Sequence, residues 1–246
     1  MRFVPDLIFV DCAELDPATF DLFYRAVLAP AFPPDELVEL DELRAAYVDG
    51  SPTDLGTVVL RDGEPVAGLL TEHFPDSGVL LVGYLAVRAD QRGTGIGSAL
   101  LNTRLPEWRR RTGAPLVLAE VEDPRFHTAS RYGDPVARLR MYGRLGARVL
   151  PLPYFQPALR PGAARVAGMM LISLAADTDR VDASVVATFL DEYVGGCEGP
   201  GVLRTDPTYR TIRDHLAGWP DGLLPLWPFD RVAEVPPLPA AGDPRA

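Results

Sequence analysis

The sequence predicts a mixed α/β fold in which helices flank a mostly antiparallel sheet. Segments with strand and helix periodicity alternate in the order β-α-α-β-β-β-α-β-α-β-β over residues 6–176. An Asp-Gly pair within residues 61–64 joins two apolar runs, which indicates an antiparallel hairpin. Within residues 84–101, an apolar strand-like run that ends in a basic residue leads through three alternate glycines into an apolar helical pattern. This order of elements is typical of an α/β sandwich.

The first elements are a strand and two helices. The strand is predicted over residues 6–13, and the first helix begins at Asp16-Pro17, an N-cap followed by proline at the first helical position. Prolines within residues 30–34 separate this helix from a second, acidic one over about 35–47. The core positions of the first helix are expected to be Phe20, Phe23, Tyr24 and Val27.

Three strands and a long helix follow. The strands are predicted near 56–61, 65–73 and 79–88. The helix after the glycines continues to about Arg111, and Pro106 is expected to kink or break it. We interpret the three arginines that end this helix as a solvated C-terminus, because the helix dipole favours cations there.

The rest of the sheet is predicted beyond Gly113. A strand at 115–122 precedes a polar insertion from Asp123 to Gly133 and another helix, and strands at about 147–152 and 165–174 follow. The expected core positions of that helix include Leu139, Met141, Tyr142 and Leu145.

A C-terminal extension is predicted to follow a first domain of residues 1–176. Residues 177–246 contain a helical pattern at 181–193, a second helix that opens at Asp206-Pro207, and a tail over 235–246. Proline and alanine dominate the tail, which is expected to be disordered or loosely packed. Three roles stay open for the extension: a lid, a contact between two copies in a homodimer, or packing.

Composition excludes several classes of function. The net charge of −10 disfavours nucleic-acid binding, which relies on many Lys and Arg contacts to phosphate. No apolar run is long enough to span a membrane, and residues 1–6 lack the features of a signal peptide. Cys12 and Cys197 are too isolated to form a metal site and are expected to be reduced. A cytoplasmic protein is expected, and 24 arginines without one lysine indicate a GC-rich bacterial gene.

The glycines at residues 93–97 predict an anion site. Glycine lets the backbone approach a ligand closely, and the first turn of a helix presents unpaired N–H groups at its positive end. A Walker loop is excluded because it requires lysine, and a Rossmann fingerprint fails because Ser98 occupies its third glycine position. A plain strand–turn–helix remains the alternative.

The segment Arg92-Gly93-Thr94-Gly95-Ile96-Gly97 resembles the acyl-CoA pyrophosphate loop of the GCN5-related N-acetyltransferases (GNAT), whose signature is Gln/Arg-x-x-Gly-x-Gly/Ala. The resemblance covers about residues 6–176 and implies that acetyl-CoA is the acyl donor. It implies that the donor is bound by Arg92, Gly93, Thr94, Gly95, Ile96, Gly97 and Ser98. It also implies that the backbone N–H groups of Leu85, Ala86 and Val87 serve the pantetheine and the thioester oxygen.

A second motif suggests the general acid. Met141-Tyr142-Gly143-Arg144-Leu145-Gly146-Ala147 resembles the Tyr-x-x-Leu-Gly-Phe motif of the family, in which the tyrosine hydroxyl lies beside the CoA sulfur. The resemblance implies that Tyr142 protonates the leaving thiolate. Ala147 stands where the family usually has Phe, and the Asn common upstream in the family is missing near Asp134-Pro135.

Glu120 is the candidate base. It shares one face of its strand with Glu122, and charged residues near the end of an apolar strand need partners. The segment 118–121 resembles the Leu-Glu-Val strand end of ribosomal-protein alanine acetyltransferases, which implies that Glu120 accepts the proton of the amine, directly or through water. Glu122, Glu72, His73 and water remain the alternatives.

The sequence therefore predicts an N-acetyltransferase that moves an acetyl group directly to a small-molecule amine, without a metal. A non-catalytic acyl-CoA-binding module is the alternative, and the length of the acyl chain stays open. Acceptor recognition is expected in residues 30–34, including Phe32, and in residues 154–156. It is also expected in the insertion, through Arg125, Phe126, His127, Arg131 and Tyr132.

Overall fold

The computed structural model describes residues 7–238, which form an α/β fold with a seven-stranded, mostly antiparallel sheet flanked by helices. The fold class and the order of elements predicted from the sequence are confirmed. Two compact units are present, residues 7–73 with 81–113 and residues 74–80 with 114–238. No helix within residues 7–238 has both the length and the apolar character needed to cross a membrane.

The first unit contains two strands and most of two others, together with three α-helices. The strands are β1 (Leu7–Asp11), β2 (Asp54–Arg61), β3 (Glu64–Phe74) and β4 (Val79–Val87). The helices are α1 (Pro17–Phe23), α2 (Leu40–Tyr47) and α3 (Ile96–Thr112). β2 pairs antiparallel with β1 and with β3. Asp62 and Gly63 both have positive φ, 52° and 82°, as a tight hairpin turn requires.

The start of α1 follows the predicted capping. The side chain of Asp16 accepts the N–H of Thr19 at 2.9 Å, and Phe20 and Phe23 are fully buried. A π-helical turn over Tyr24–Leu28 continues the helix. α2 begins later than predicted, because Pro34–Glu36 form a 3-10 turn and the next residue is extended.

α3 is a single helix of 17 residues. It continues past Pro106, so the predicted break does not occur. Gly113 adopts φ 72° and donates to the carbonyl of Arg109 at 2.9 Å, which ends the helix where the sequence predicts. Arg110 and Arg111 are exposed in the last turn.

The second unit contains the remaining strands of the large sheet. β5 (Leu116–Glu122) and β6 (Arg148–Val149) both pair antiparallel with β7 (Met169–Ala176), and α4 (Pro135–Arg144) lies between β5 and β6 in the chain. β6 is shorter than predicted. β7 begins later than predicted, because Val166 pairs with Gln156 and Gly168 turns the chain at φ 69°.

The C-terminal extension adds helices and a small sheet to this unit. Its elements are β8 (Arg180–Asp182), α5 (Ala183–Glu198), α6 (Val202–Thr205), α7 (Pro207–Ala217) and β9 (Leu223–Pro225). The β8–β9 pair is not predicted by the sequence. The side chain of Asp206 caps α7 by accepting the N–H of Tyr209 at 2.7 Å, as expected. The domain boundary at 176/177 stays a prediction.

The predicted loose tail begins as a packed segment. Val235 is buried, and its carbonyl accepts a hydrogen bond of 2.8 Å from Arg125. The expectation for this residue is therefore wrong, because its side chain joins the apolar core. Residues 239–246 of the predicted tail lie outside the described residues.

Candidate active site

The glycine loop, defined here as residues 92–98, leads from a 3-10 turn after β4 into α3. Gly93 and Gly95 adopt φ 78° and 90°, a left-handed conformation that disfavours residues with a side chain. A Cβ placed on either glycine would have no atom within 4 Å. The backbone of the loop therefore has open space beside it.

The loop carries a run of unused hydrogen-bond donors. Within residues 7–238, the amide N–H groups of Gly93 through Ser98 have no acceptor, and the first helical bond runs from Ala99 to the carbonyl of Gly95 at 2.9 Å. The hydroxyl of Thr94 donates to the carbonyl of Gln91 at 2.7 Å and holds the turn. Unpaired N–H groups at the positive end of a 17-residue helix favour an anion.

The charge of the loop comes from Arg92. Its side chain is exposed, has no acidic partner within the described residues, and donates from Nε to a carbonyl of β4 at 3.3 Å. Arg88 is held by Asp90 at 2.7 Å, which lowers the pKa of Asp90 to about 2, and Arg104 is paired with Asp11 at 3.2 Å. Carboxylates thus neutralise the charges of Arg88 and Arg104, whereas no carboxylate of the described residues neutralises the charge of Arg92.

Leu85, Ala86 and Val87 are the last residues of β4. Ala86 is buried in the core of the first unit, and the side chains of Leu85 and Val87 are half-buried. Their predicted role depends on backbone groups and stays a prediction.

Tyr142 lies near the end of α4, whose first turn is capped by Asp134. Its carbonyl accepts the N–H groups of Leu145 and Ala147 at 3.0 and 3.1 Å, and Gly146 provides φ 86° for this turn. The Tyr-x-x-Leu-Gly pattern is thus also the C-terminal cap of the helix. Tyr142 therefore has a fixed backbone.

The side chain of Tyr142 is buried, but its hydroxyl is not tied to a protein partner. The residue is 5% exposed, and the hydroxyl makes no hydrogen bond within residues 7–238. Burial raises the pKa of Tyr142, which keeps the hydroxyl protonated at neutral pH.

The carboxylate of Glu120 on β5 is held by three side chains. Tyr154 donates to Oε1 at 2.5 Å, Gln156 donates to Oε2 at 3.0 Å, and Tyr193 of α5 donates to Oε2 at 3.0 Å. All three donors are neutral, and each is less than a tenth exposed. They orient the carboxylate, and their hydrogen bonds favour its ionised form.

The carboxylate of Glu120 affects the pKa values of the two tyrosines that donate to it. Burial raises the pKa values of Tyr154 and Tyr193 well above the ordinary value, and the negative charge of Glu120 raises them further. Both hydroxyls therefore stay protonated and act as permanent donors.

Glu122 has different partners, although it lies on the same face of β5. It is 9% exposed and pairs with Arg138 of α4 at 2.9 Å, and His127 lies 3.8 Å away. An arginine-bound carboxylate is a weak candidate base, because its lone pairs and charge are engaged by a cation.

The two alternative bases on β3 belong to the first unit. Glu72 is exposed, whereas His73 is half-buried and its Nε2 is buried without a partner within the described residues. These observations leave both as predictions.

Several predicted acceptor residues have structural partners. Tyr154 and Gln156 point to Glu120, Arg125 is bound to Asp123 at 2.6 Å, and the ring of Phe32 packs edge-on against Tyr84 at 5.0 Å. Others are accessible. Phe126 is 57% exposed, Arg131 lies over the ring of Tyr132 at 4.6 Å, and His127 hydrogen-bonds a carbonyl at 2.9 Å.

Sequence reasoning missed the role of Tyr193. It assigned this residue only to a helical stripe, because nothing near position 193 indicates a carboxylate on β5. A weak signal exists, since a buried tyrosine hydroxyl usually requires a partner.

The cysteines are reduced, as the sequence predicts. Both cysteines are free thiols, Cys12 being buried and Cys197 half-buried. Within residues 7–238 no group of three or more His, Cys, Asp or Glu side chains is arranged to hold a metal ion.

Comparison with known proteins agrees with this geometry. Residues 21–134 match the model of the acetyltransferase (GNAT) family. No curated protein matches the chain in sequence. A GNAT acetyltransferase from Bacteroides thetaiotaomicron is similar in fold, with 20% identity, a TM-score of 0.56, and coverage of 76% of this chain and 98% of that one.

Two further solved structures are more distant. A GNAT protein from Desulfovibrio desulfuricans has 18% identity and a TM-score of 0.49, covering 69% of this chain and 99% of that one. The ribosomal-protein-S18-alanine N-acetyltransferase of Escherichia coli has 16% identity and a TM-score of 0.47, covering 70% and 97%. Residues 21–134 are thus similar to the GNAT acetyltransferase family, and the fold is similar to that of the Bacteroides thetaiotaomicron protein.

Proposed function

We propose that this protein is an N-acetyltransferase that moves an acetyl group from acetyl-CoA directly to an amine. The observation that carries the proposal is the run of amides from Gly93 to Ser98, which have no acceptor within residues 7–238 and follow the residue pattern of an acyl-CoA loop. The pyrophosphate of CoA is an anion that such a run of N–H groups can bind. Arg92 would add a charged contact.

Tyr142 is the proposed general acid. When the amine nitrogen attacks the thioester carbon, the carbon–sulfur bond breaks and the sulfur leaves as a thiolate. The hydroxyl of Tyr142 would give its proton to that sulfur. Two features support this role, the lack of a hydrogen-bond partner for the hydroxyl within the described residues and the raised pKa that keeps it protonated.

Glu120 is the proposed base. An alkyl amine has a pKa near ~10 and is mostly protonated at neutral pH, so a proton must leave before the nitrogen can attack. An ionised carboxylate attracts the ammonium group and can accept this proton, directly or through water. Support comes from the hydrogen bonds of Tyr154, Gln156 and Tyr193, which hold both carboxylate oxygens of Glu120 in place.

No cysteine acyl-enzyme is included in this proposal. Cys12 is buried and its pKa is raised by burial, so it is a poor nucleophile. The proposed acceptor is a small molecule that carries a primary amine. The cytoplasmic location, the bacterial source and the homodimer remain predictions from the sequence.

The first test is binding. Isothermal titration should detect acetyl-CoA binding with one site per chain, and an absence of heat at millimolar ligand would contradict the proposal. The second test is product formation. Incubation with acetyl-CoA and a panel of amines, followed by mass spectrometry, should give an N-acetylated product and free CoA. Binding without any product would instead favour the non-catalytic module.

A further inference from the structure

We propose that the C-terminal extension supplies part of the catalytic site, with Tyr193 of α5 acting as a positioning residue for Glu120. This inference rests on the proposed function. Tyr193 lies beyond residue 134, where the family match ends, and its hydroxyl is 3.0 Å from Oε2 of Glu120.

Both oxygens of the carboxylate are fixed from different segments. Oε1 accepts from Tyr154, and Oε2 accepts from Gln156 and Tyr193. Hydrogen bonds to both oxygens prevent the carboxylate from rotating about its last bond. A base must hold its lone pairs toward the proton that it accepts, so this restraint bears on catalysis.

The ring of Tyr193 is held independently of Glu120. It stacks on Phe189 at 5.7 Å with an interplanar angle of 20° and packs edge-on against Phe74 at 5.7 Å. The residue is 7% exposed. A Tyr193→Phe variant therefore keeps the apolar contacts of the ring and loses only the hydroxyl.

The extension also fastens the segment that carries Tyr154. Glu198, the last residue of α5, accepts the N–H of Ala158 at 2.9 Å and binds Arg165 at 2.5 Å. The guanidinium of Arg165 lies over the ring of Phe155 at 4.2 Å. Both tyrosine donors thus depend on α5, one directly and one through Glu198.

The Glu120 cluster is defined here as Glu120 with its donors Tyr154, Gln156 and Tyr193. The charge of this cluster indicates which kind of acceptor it would bind. Hydrogen bonds from Tyr154, Gln156 and Tyr193 favour the ionised form of Glu120, and an ionised carboxylate attracts a protonated amine. The titratable groups of the second unit that interact with Glu120 or with its tyrosine donors include Tyr154, Tyr193 and Cys197. The Tyr193→Phe variant below retains Tyr154 and Cys197.

The test compares two tyrosine-to-phenylalanine variants. Tyr193→Phe removes a hydroxyl from Glu120, whereas Tyr209→Phe removes a buried hydroxyl from Asp191 in the same extension and serves as the matched control. The first readout is the ¹³C titration of glutamate carboxylates, in which the Glu120 signal is assigned by its loss in Glu120→Gln. The titration midpoint should rise by about one pH unit in Tyr193→Phe, because a donor to the charged form is lost. It should not move in Tyr209→Phe.

The second readout is kinetic. In Tyr193→Phe, kcat should fall about tenfold and the acid limb of kcat/KM should move to higher pH, with the KM for acetyl-CoA unchanged. Equal behaviour of the two variants in both readouts would overturn the inference while leaving the proposed function intact. If the wild-type protein transfers no acetyl group, although the carboxylate titration shifts in Tyr193→Phe, the proposed function is overturned instead.

Discussion

The glycine loop and the Glu120 cluster differ in how their polar groups are satisfied. In the loop, the amides of Gly93 through Ser98 have no acceptor within the described residues, so their donors are available to a ligand. In the cluster, Glu120 is held by three side chains from two segments far along the chain. The first region thus has donors that a bound anion could use, whereas the second orients a carboxylate of the protein itself.

The same difference decides what can be read from the sequence. The loop is a local feature, because a strand, glycines with positive φ and a helix N-terminus follow one another within twenty residues. The cluster depends on contacts between positions 120, 154, 156 and 193, and no local pattern encodes such a meeting. The sequence therefore predicts the loop in detail and the candidate base only as a residue type on a strand.

The fold shows the same division. The order of elements, the hairpin at Asp62-Gly63 and the end of α3 at Gly113 depend on local turn chemistry and are confirmed. The late start of α2, the short β6 and the β8–β9 pair depend on packing and on partners distant in sequence. They were not predicted for that reason.

Tyr142→Phe should have the largest effect on turnover. It removes the proposed acid, so kcat should fall by about 10²-fold or more, whereas the Kd for acetyl-CoA should stay within about twofold. Steady-state kinetics and titration calorimetry measure the two quantities. A wild-type kcat would remove Tyr142 from the mechanism.

Gly95→Ala should lower the affinity of the glycine loop for acetyl-CoA rather than the rate of the chemical step. Alanine is strained at φ 90° and places a methyl group beside the amides, so acetyl-CoA affinity should fall about tenfold, or ~1.4 kcal/mol. The matched control is Gly113→Ala, which carries similar strain, φ 72°, at the other end of α3. Its stability should fall comparably while its Kd stays unchanged. Equal losses of affinity would show that general destabilisation explains the result.

The buried tyrosines predict how stability depends on pH. The pKa values of Tyr154 and Tyr193 are raised on folding, so their contribution is complete below about pH 10 and is lost as pH rises further. The free energy of unfolding should fall by about 1.4 kcal/mol per pH unit for each such tyrosine. Tyr193→Phe should remove the contribution of one tyrosine, about 1.4 kcal/mol per pH unit, from this slope. Urea unfolding between pH 9 and 11 would measure the change. An unchanged slope would mean that folding does not raise the pKa of Tyr193.

Arg92→Ala should have the smallest effect. Arg92 is exposed, so its contact with phosphate is screened, and acetyl-CoA affinity should fall by about twofold to fivefold. The loss should shrink as salt is raised in the titration. Arg110→Ala, an exposed arginine at the far end of α3, is the control and should bind normally.

The most direct test of the loop is an amide NMR titration with acetyl-CoA. ¹H–¹⁵N spectra of the labelled protein report each backbone N–H separately. The amides of Gly93 through Ser98 should show the largest shifts, saturating at one ligand per chain, while the amides around Gly113 at the other end of α3 stay in place. An absence of shifts in residues 93–98 at millimolar acetyl-CoA would contradict the account.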